Sequence, residues 1–216
     1  KSWKTDTGLL VRGTGNILTA GYIQNKVNEN SNLLKVYPMG ALEFQYPLFK
    51  KKAKKSEVFI PIAQLVYSTD TSSPIDPIDE DSSTTEFDST SLFKLRKIPG
   101  IDRQEKGLRL NAGLKYFFEY KNNYKYSVSL GQVYRNKNSK DFLLSSGLNG
   151  YESDILLSGN FSFQRDLDIT SKQVYSKNFS LKRSDTSLKI TKNRYQINTS
   201  LVNLISDPSE GTSSDL

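Results

Sequence analysis

Apolar and polar residues alternate one by one along most of this chain. From Gly107 to Tyr120, Leu108, Leu110, Ala112, Leu114, Tyr116, Phe118 and Tyr120 share one parity, and Arg109, Asn111, Gly113, Lys115, Phe117 and Glu119 share the other. Successive side chains of a strand point to opposite faces, so this spacing predicts a ribbon with one apolar and one polar face. At about 3.3 Å per residue the ribbon is long enough to cross a bilayer at a barrel tilt. Tyr124, Tyr126, Val128 and Leu130 alternate in the same way with Lys125, Ser127, Ser129 and Gly131, and Lys121-Asn122-Asn123 joins the two ribbons as a tight hairpin. Tyr116, Phe118, Tyr120, Tyr124 and Tyr126 then gather at one hairpin end. That is the arrangement of an aromatic girdle at a membrane interface, and also of ordinary cross-strand aromatic pairing.

The same test marks strands over Gly8–Tyr22, Leu34–Phe49, Glu57–Thr69, Ile155–Phe163, Leu167–Ser176, Phe179–Ile190 and Arg194–Ile205, about nine in all. No stretch has a helical period. Short connections (residues 50–56, 121–123, 164–166, 191–193) alternate with long ones (23–33, 70–104, 136–152), the rhythm of periplasmic turns and extracellular loops. Lys177-Asn178 breaks it, being short where a surface loop is due. The second faces carry Ser, Asn, Lys, Arg and Gly, which would make a poor sandwich core and a good hydrated lumen. The expected fold is therefore all-β: an antiparallel transmembrane β-barrel segment, open and curved. Residues 1–216 would form a partial outer-membrane barrel domain with a long extracellular loop at 70–104. An open sheet leaves two unpaired edges, which lipid does not tolerate, and the chain starts at Lys1 without an apolar leader, so a larger parent protein is expected.

Composition changes this picture in three places. Hydrophobic residues are 36% of 216 and the mean hydropathy is −0.55, with no apolar run of helix-spanning length. A barrel tolerates such values because only alternate residues meet lipid. Cys and His are absent, which excludes His-dependent nucleophile systems, His/Cys zinc sites and disulfide scaffolds; no enzyme activity, metal or cofactor is expected. The net charge of +7 is spread along the chain, and its one dense run, Lys50-Lys51-Lys52-Ala53-Lys54-Lys55, lies between strands and reads as a solvated turn rather than a nucleic-acid site.

One stretch is too long for a simple loop and too rich in Phe and Leu for a linker. It carries Glu80, Asp81, Ser82, Glu86, Phe87, Asp88, Thr90, Leu92 and Phe93, then Pro99, Gly100, Asp102, Arg103, Glu105, Gly107 and Arg109. Its carboxylates (Asp76, Asp79, Glu80, Asp81, Glu86, Asp88) read first as a solvated loop packed by Phe87, Leu92 and Phe93; folding inward over a lumen, or contact with divalent ions, is the alternative. Asp102 and Arg103 are expected to form a structural ion pair at the strand entrance. Arg109, Lys115, Lys125 and Arg135 are candidate lumen cations that would meet anionic sugars or simply be hydrated.

This stretch resembles the central barrel region of the LptD family of LPS-assembly proteins, also called the organic solvent tolerance family. The family's Asn-Glu-Asp-Ser…Phe-Asp-x-Thr-Asn-Leu-Phe and Pro-Gly-x-Asp-Arg-x-Glu-x-Gly-x-Arg elements are matched, with Asp79 and Ser91 in place of Asn. Tyr37-Pro38, Leu42-Glu43-Phe44-Gln45-Tyr46-Pro47, Pro61-Ile62-Ala63-Gln64-Leu65 and Ser129-Leu130-Gly131-Gln132-Val133-Tyr134 are similar to flanking strands of that family. The resemblance implies transport of lipopolysaccharide into the outer leaflet of the bacterial cell outer membrane. It implies as partners lipopolysaccharide, outer-membrane lipid, an LptE-like plug lipoprotein and an LptA-like periplasmic bridge, with no nucleic acid. A diffusion porin or receptor barrel, and a soluble β-rich binding or adhesion protein, remain the competing readings.

Overall fold

The computed structural model describes residues 1–26, 29–69, 87–100, 104–121, 123–139, 142, 146–164 and 166–205, with backbone alone where these fall within 24–33. Among them there are twelve strands and no α-helix. They are β1 (Ser2–Lys4), β2 (Leu10–Lys26), β3 (Glu29–Gln45), β4 (Leu48–Lys52), β5 (Lys55–Ser68), β6 (Gly107–Tyr120), β7 (Tyr124–Ser139), β8 (Gly150–Glu152), β9 (Ile155–Phe163), β10 (Leu167–Tyr175), β11 (Leu181–Lys192) and β12 (Tyr195–Leu204). They form one antiparallel sheet in the order β1-β2-β3-β5-β6-β7-β9-β10-β11-β12; β4 extends the β3 side of β5, and β8 pairs with β7.

The register assigns every strand residue to one of two faces. Glu43 stands opposite Gln64, Gln64 opposite Asn111, and Asn111 opposite Val133. These residues, with Met39, Ala41, Ile62, Val66, Arg109, Leu156 and Ser158, belong to a covered face and are buried. The other parity stays open: Leu65, Leu108, Leu110, Leu114, Val128 and Leu130 are each 38–41% exposed. A soluble two-layer fold would bury the leucines and hydrate the polar parity. Here the apolar face is left bare and the mixed face, which holds the polar and charged strand residues, is covered, an inversion that suits a wall between lipid and a lumen. At β12 all ten residues are exposed, since that strand has a neighbour on one side only.

Three tight turns share one end of the sheet, and the β10–β11 turn lies at the other. The short connections between β6 and β7, β9 and β10, and β11 and β12 contain Lys121, Gln164 and Asn193, each at positive φ (41°, 52° and 53°), and the β10–β11 turn is short as the sequence indicates. Three expectations need correction. Residues 23–33 do not form a long connection: β2 runs to Lys26 and β3 starts at Glu29, so the hairpin is strand almost to its tip. Likewise β7 continues to Ser139 and pairs with β8. Both extensions are mostly polar sequences held by backbone hydrogen bonds, which need no apolar alternation. The predicted strand 34–49 also breaks at Tyr46-Pro47, where proline cannot donate to the ladder.

Candidate functional site: a loop seated on the polar face

Residues 87–100 turn inward and lie on the covered face. Their conformation is set locally. Asp88 Oδ1 accepts hydrogen bonds from the Thr90 amide (2.9 Å), the Thr90 hydroxyl (2.7 Å) and the Ser91 amide (2.7 Å), while Ser91 Oγ accepts from the Asp88 amide (2.9 Å). This reciprocal cap starts a helical turn, with the Leu92 amide donating to the Asp88 carbonyl and the Lys94 amide to that of Ser91. At the other end the buried Lys97 ammonium donates to the carbonyls of Leu92 (2.5 Å), Ser91 (3.1 Å) and Lys94 (3.4 Å). The turn thus carries its own acid at the start and its own base at the end, matching its dipole.

The compact turn points Leu92 and Phe93 at a notch in the wall. Gly113 and Gly131 stand directly opposite each other on β6 and β7. A Cβ on Gly131 would lie 2.1 Å from Leu92 Cδ2, and one on Gly113 would lie 2.9 Å from Phe93 Cζ. Only glycine at both positions lets the loop approach. Around this notch Phe87, Leu92 and Ile98 pack with Val133, Phe142, Leu148, Leu156 and Val174 in one apolar cluster, Phe93 at its edge. The expectation of a solvated loop packed on its own apolar residues is therefore corrected for residues 87–100: Phe87 and Leu92 find more apolar surface on the wall than the loop can offer itself. Asp79, Glu80, Asp81, Ser82 and Glu86, like Asp76, lie outside the described residues, as do Asp102 and Arg103.

Ion pairs complete the seat. Arg109 and Arg135 occupy opposed register positions, where like charges repel. Glu105 sits between them, with Oε2 3.0 Å from Arg109 Nη1 and Oε1 2.5 Å from Arg135 Nε, all three side chains being at most 5% exposed. Arg109 also donates to the Leu95 carbonyl, and the Ser68 hydroxyl donates to the Glu105 carbonyl. The Arg135 guanidinium lies 5.3 Å from the Phe142 ring centroid. Arg109 and Arg135 are thus loop-anchoring residues in this conformation, covered rather than hydrated. Burial and the neighbouring Arg109 push the Lys97 ammonium down to about 7, against the opposing pull of Glu105. For Asp88, burial opposes ionisation, but the Thr90 and Ser91 hydrogen bonds and Lys172 (3.3 Å away on β10) outweigh it and hold the carboxyl below its ordinary value.

The remaining sequence candidates separate from this cluster. Lys115 Nζ rests 5.5 Å from the Phe93 ring centroid, and Lys125 pairs with Glu119 at 3.1 Å, mostly exposed. Pro99 is exposed, Gly100 turns at φ 83°, and Gly107 opens β6 at φ 99°. Sequence reasoning missed the Gly113/Gly131 notch and Lys97. The notch had a signal: the two glycines are equidistant from Asn122 at the hairpin tip and must face each other. It also missed a polar ladder across four strands, in which Gln64 Nε2 donates to Glu43 Oε2 (2.9 Å) and to the Phe93 carbonyl (3.0 Å), Asn111 Nδ2 donates to Gln64 Oε1 (2.6 Å), and Arg12 lies 3.8 Å from Glu43. Between loop and wall a polar cavity of about 510 Å³ remains, lined among others by Arg12, Glu43, Thr90, Lys115, Ser129 and Asn160. Among the described residues no group of three or more Asp or Glu stands close enough to hold a metal.

No curated protein matches the chain. A family model described as LPS transport system D matches residues 14–215, nearly the whole length. With an all-β antiparallel sheet whose polar face receives the motif loop, the chain belongs to the LptD family, LPS transport system D, a family of outer-membrane β-barrel proteins.

Proposed function

We propose that this chain is a section of the barrel wall of the outer-membrane translocon that delivers lipopolysaccharide to the outer leaflet. On this reading the open face meets lipid, the covered face meets the lumen, and the loop at 87–100 enters from the extracellular side. The observation that carries it is the polar cavity between loop and wall, which offers hydroxyls, amides and the cations Arg12 and Lys115 to a sugar bearing anionic groups. On this reading the site acts through hydrogen-bonding groups and charge, without a catalytic step. The family's plug lipoprotein and periplasmic bridge are the partners this role requires. Against a diffusion porin, which would share the strands, the reading is supported by the family match over residues 14–215.

Photo-crosslinking in cells tests the reading. A photoreactive residue at Thr90 or Ser129 should yield adducts with lipopolysaccharide, while one at Leu110 or Leu65 should yield phospholipid adducts. Lipopolysaccharide adducts absent from the cavity positions would sink the proposal.

A further inference from the structure

The lysine run first read as a solvated turn stands in a specific place. β4 and β5 set Lys50 opposite Glu57 and Lys52 opposite Lys55, so Lys50, Lys52 and Lys55 share the open face. Lys55 pairs with Glu57 at 2.8 Å and lies 5.9 Å from the Phe118 ring centroid. Among the described residues Lys50 and Lys52 have no ion-pair partner. Three ammonium groups thus meet one carboxylate, and Lys52 and Lys55 repel each other across the ladder unless an anion lies between them.

Two more features lie on the same face, on β5 and the strands beside it. Beside the lysines is an aromatic group, stacked at Phe118–Tyr126 (4.8 Å between ring centroids) and Tyr120–Tyr124 (5.2 Å) and tilted at Tyr116–Tyr126 (5.7 Å). Amphipathic rings of this kind settle at headgroup level. Farther along is an apolar groove of about 620 Å³, bordered by Tyr46, Pro61 and Leu114 and floored where Ala63 and Ala112 face each other. From Lys55 to Pro61 is about 20 Å along the strand at 3.3 Å per residue. At a barrel tilt of about 40° that is ~15 Å of membrane depth, half of a ~30 Å hydrocarbon core. Headgroup cluster and groove are therefore one leaflet apart.

We propose that this corner binds one anionic phospholipid of the periplasmic leaflet, its phosphate on Lys50, Lys52 and Lys55 and an acyl chain in the Tyr46–Pro61–Ala63–Ala112 groove. The inference rests on the reading that the open face meets lipid. Charge selects the head, since zwitterionic headgroups give the unpaired lysines no net attraction, and the groove makes a lipid rather than free phosphate the occupant.

The test uses the full-length protein in bilayer nanodiscs. Native mass spectrometry would compare retention of phosphatidylglycerol and phosphatidylethanolamine with identical chains. Wild type should retain the anionic lipid preferentially. Lys50→Gln with Lys52→Gln should cut that preference about 25-fold, at roughly five-fold per lysine near a membrane surface. Ala63→Phe should weaken retention of both lipids while leaving the preference intact. Equal retention of the two lipids by wild type, or an undiminished preference in the lysine variant, overturns the proposal, as does loss of the bound lipid to inorganic phosphate alone. Failure of wild type to enter bilayers would instead overturn the membrane reading beneath it.

Discussion

The glycine notch makes a quantitative prediction. Gly131→Ala would place a methyl 2.1 Å from Leu92 Cδ2 and 2.9 Å from the Ala112 carbonyl oxygen. Carbon atoms rest comfortably at about 3.5–4.0 Å, so Leu92 must retreat by roughly 1.5 Å. The strand cannot yield, because its backbone is paired on both sides, so the loop lifts. Overpacking of this sort costs about 1–3 kcal/mol, comparable to the ~2 kcal/mol gained by burying a leucine. Leu92→Ala costs about 2–5 kcal/mol in its own right by leaving a cavity. Combined, the two should cost less than their sum by at least about 1 kcal/mol, since the new methyl then fills part of the space Leu92 vacates. Hydrogen exchange in the full-length protein reads this directly at the Leu92 and Lys94 amides, which are bonded within the turn. About 1.4 kcal/mol corresponds to ten-fold faster exchange. Unchanged exchange in Gly131→Ala, or strictly additive effects, would refute the keyed fit.

Other substitutions probe other parts. Glu105→Gln leaves Arg109 and Arg135 facing each other, buried and uncompensated, and should weaken loop docking by about 3–5 kcal/mol, read by the same exchange experiment; little change would mean the arginines are hydrated. Lys97 titrates near 7 when folded and near 10.4 when unfolded, so between these values the unfolded chain binds more protons and stability rises with pH. Loop protection, corrected for intrinsic exchange, should therefore increase from pH 7 toward pH 9 and become flatter in Lys97→Met; a fall over that window would contradict the burial of the ammonium. Leu114→Arg on the open face should cost about 2–4 kcal/mol in denaturant unfolding from lipid vesicles if that residue lies near the bilayer midplane.

Much of this was legible in the sequence, and for identifiable reasons. The β6–β7 hairpin reads directly because Leu108 to Tyr120 keeps strict alternation and the turn is short, so period alone fixes both faces. The ends of β2, β3 and β7 did not read, because Gln24 to Lys26 and Asn136 to Ser139 carry no apolar parity, and backbone pairing outside a hydrophobic layer leaves no periodic mark. The loop motif was visible through Phe87, Asp88, Leu92 and Phe93, but its direction was not. Whether a Phe/Leu-rich loop packs on itself or on a wall depends on a complementary recess, and that recess is formed by two residues without side chains. Glu105 and Arg109 stand out together in the loop motif, and Arg109 and Arg135 as candidate lumen cations; only the register that opposes the two arginines shows why a carboxylate must stand between them.

The central claim is that the leucine parity of β6 faces lipid while the opposite parity faces a covered, polar lumen. This chain has no cysteine, so single cysteines introduced into it one at a time can be spin-labelled in the full-length protein in bilayers, on a background cleared of any cysteine elsewhere in that protein. Labels at Leu108, Leu110, Ala112 and Leu114 should be accessible to oxygen dissolved in lipid and shielded from a water-soluble nickel chelate. Labels at Asn111 and Lys115 should show low oxygen accessibility, giving a period of two along the strand. Nickel accessibility at the leucine positions, or no alternation at all, would contradict the account.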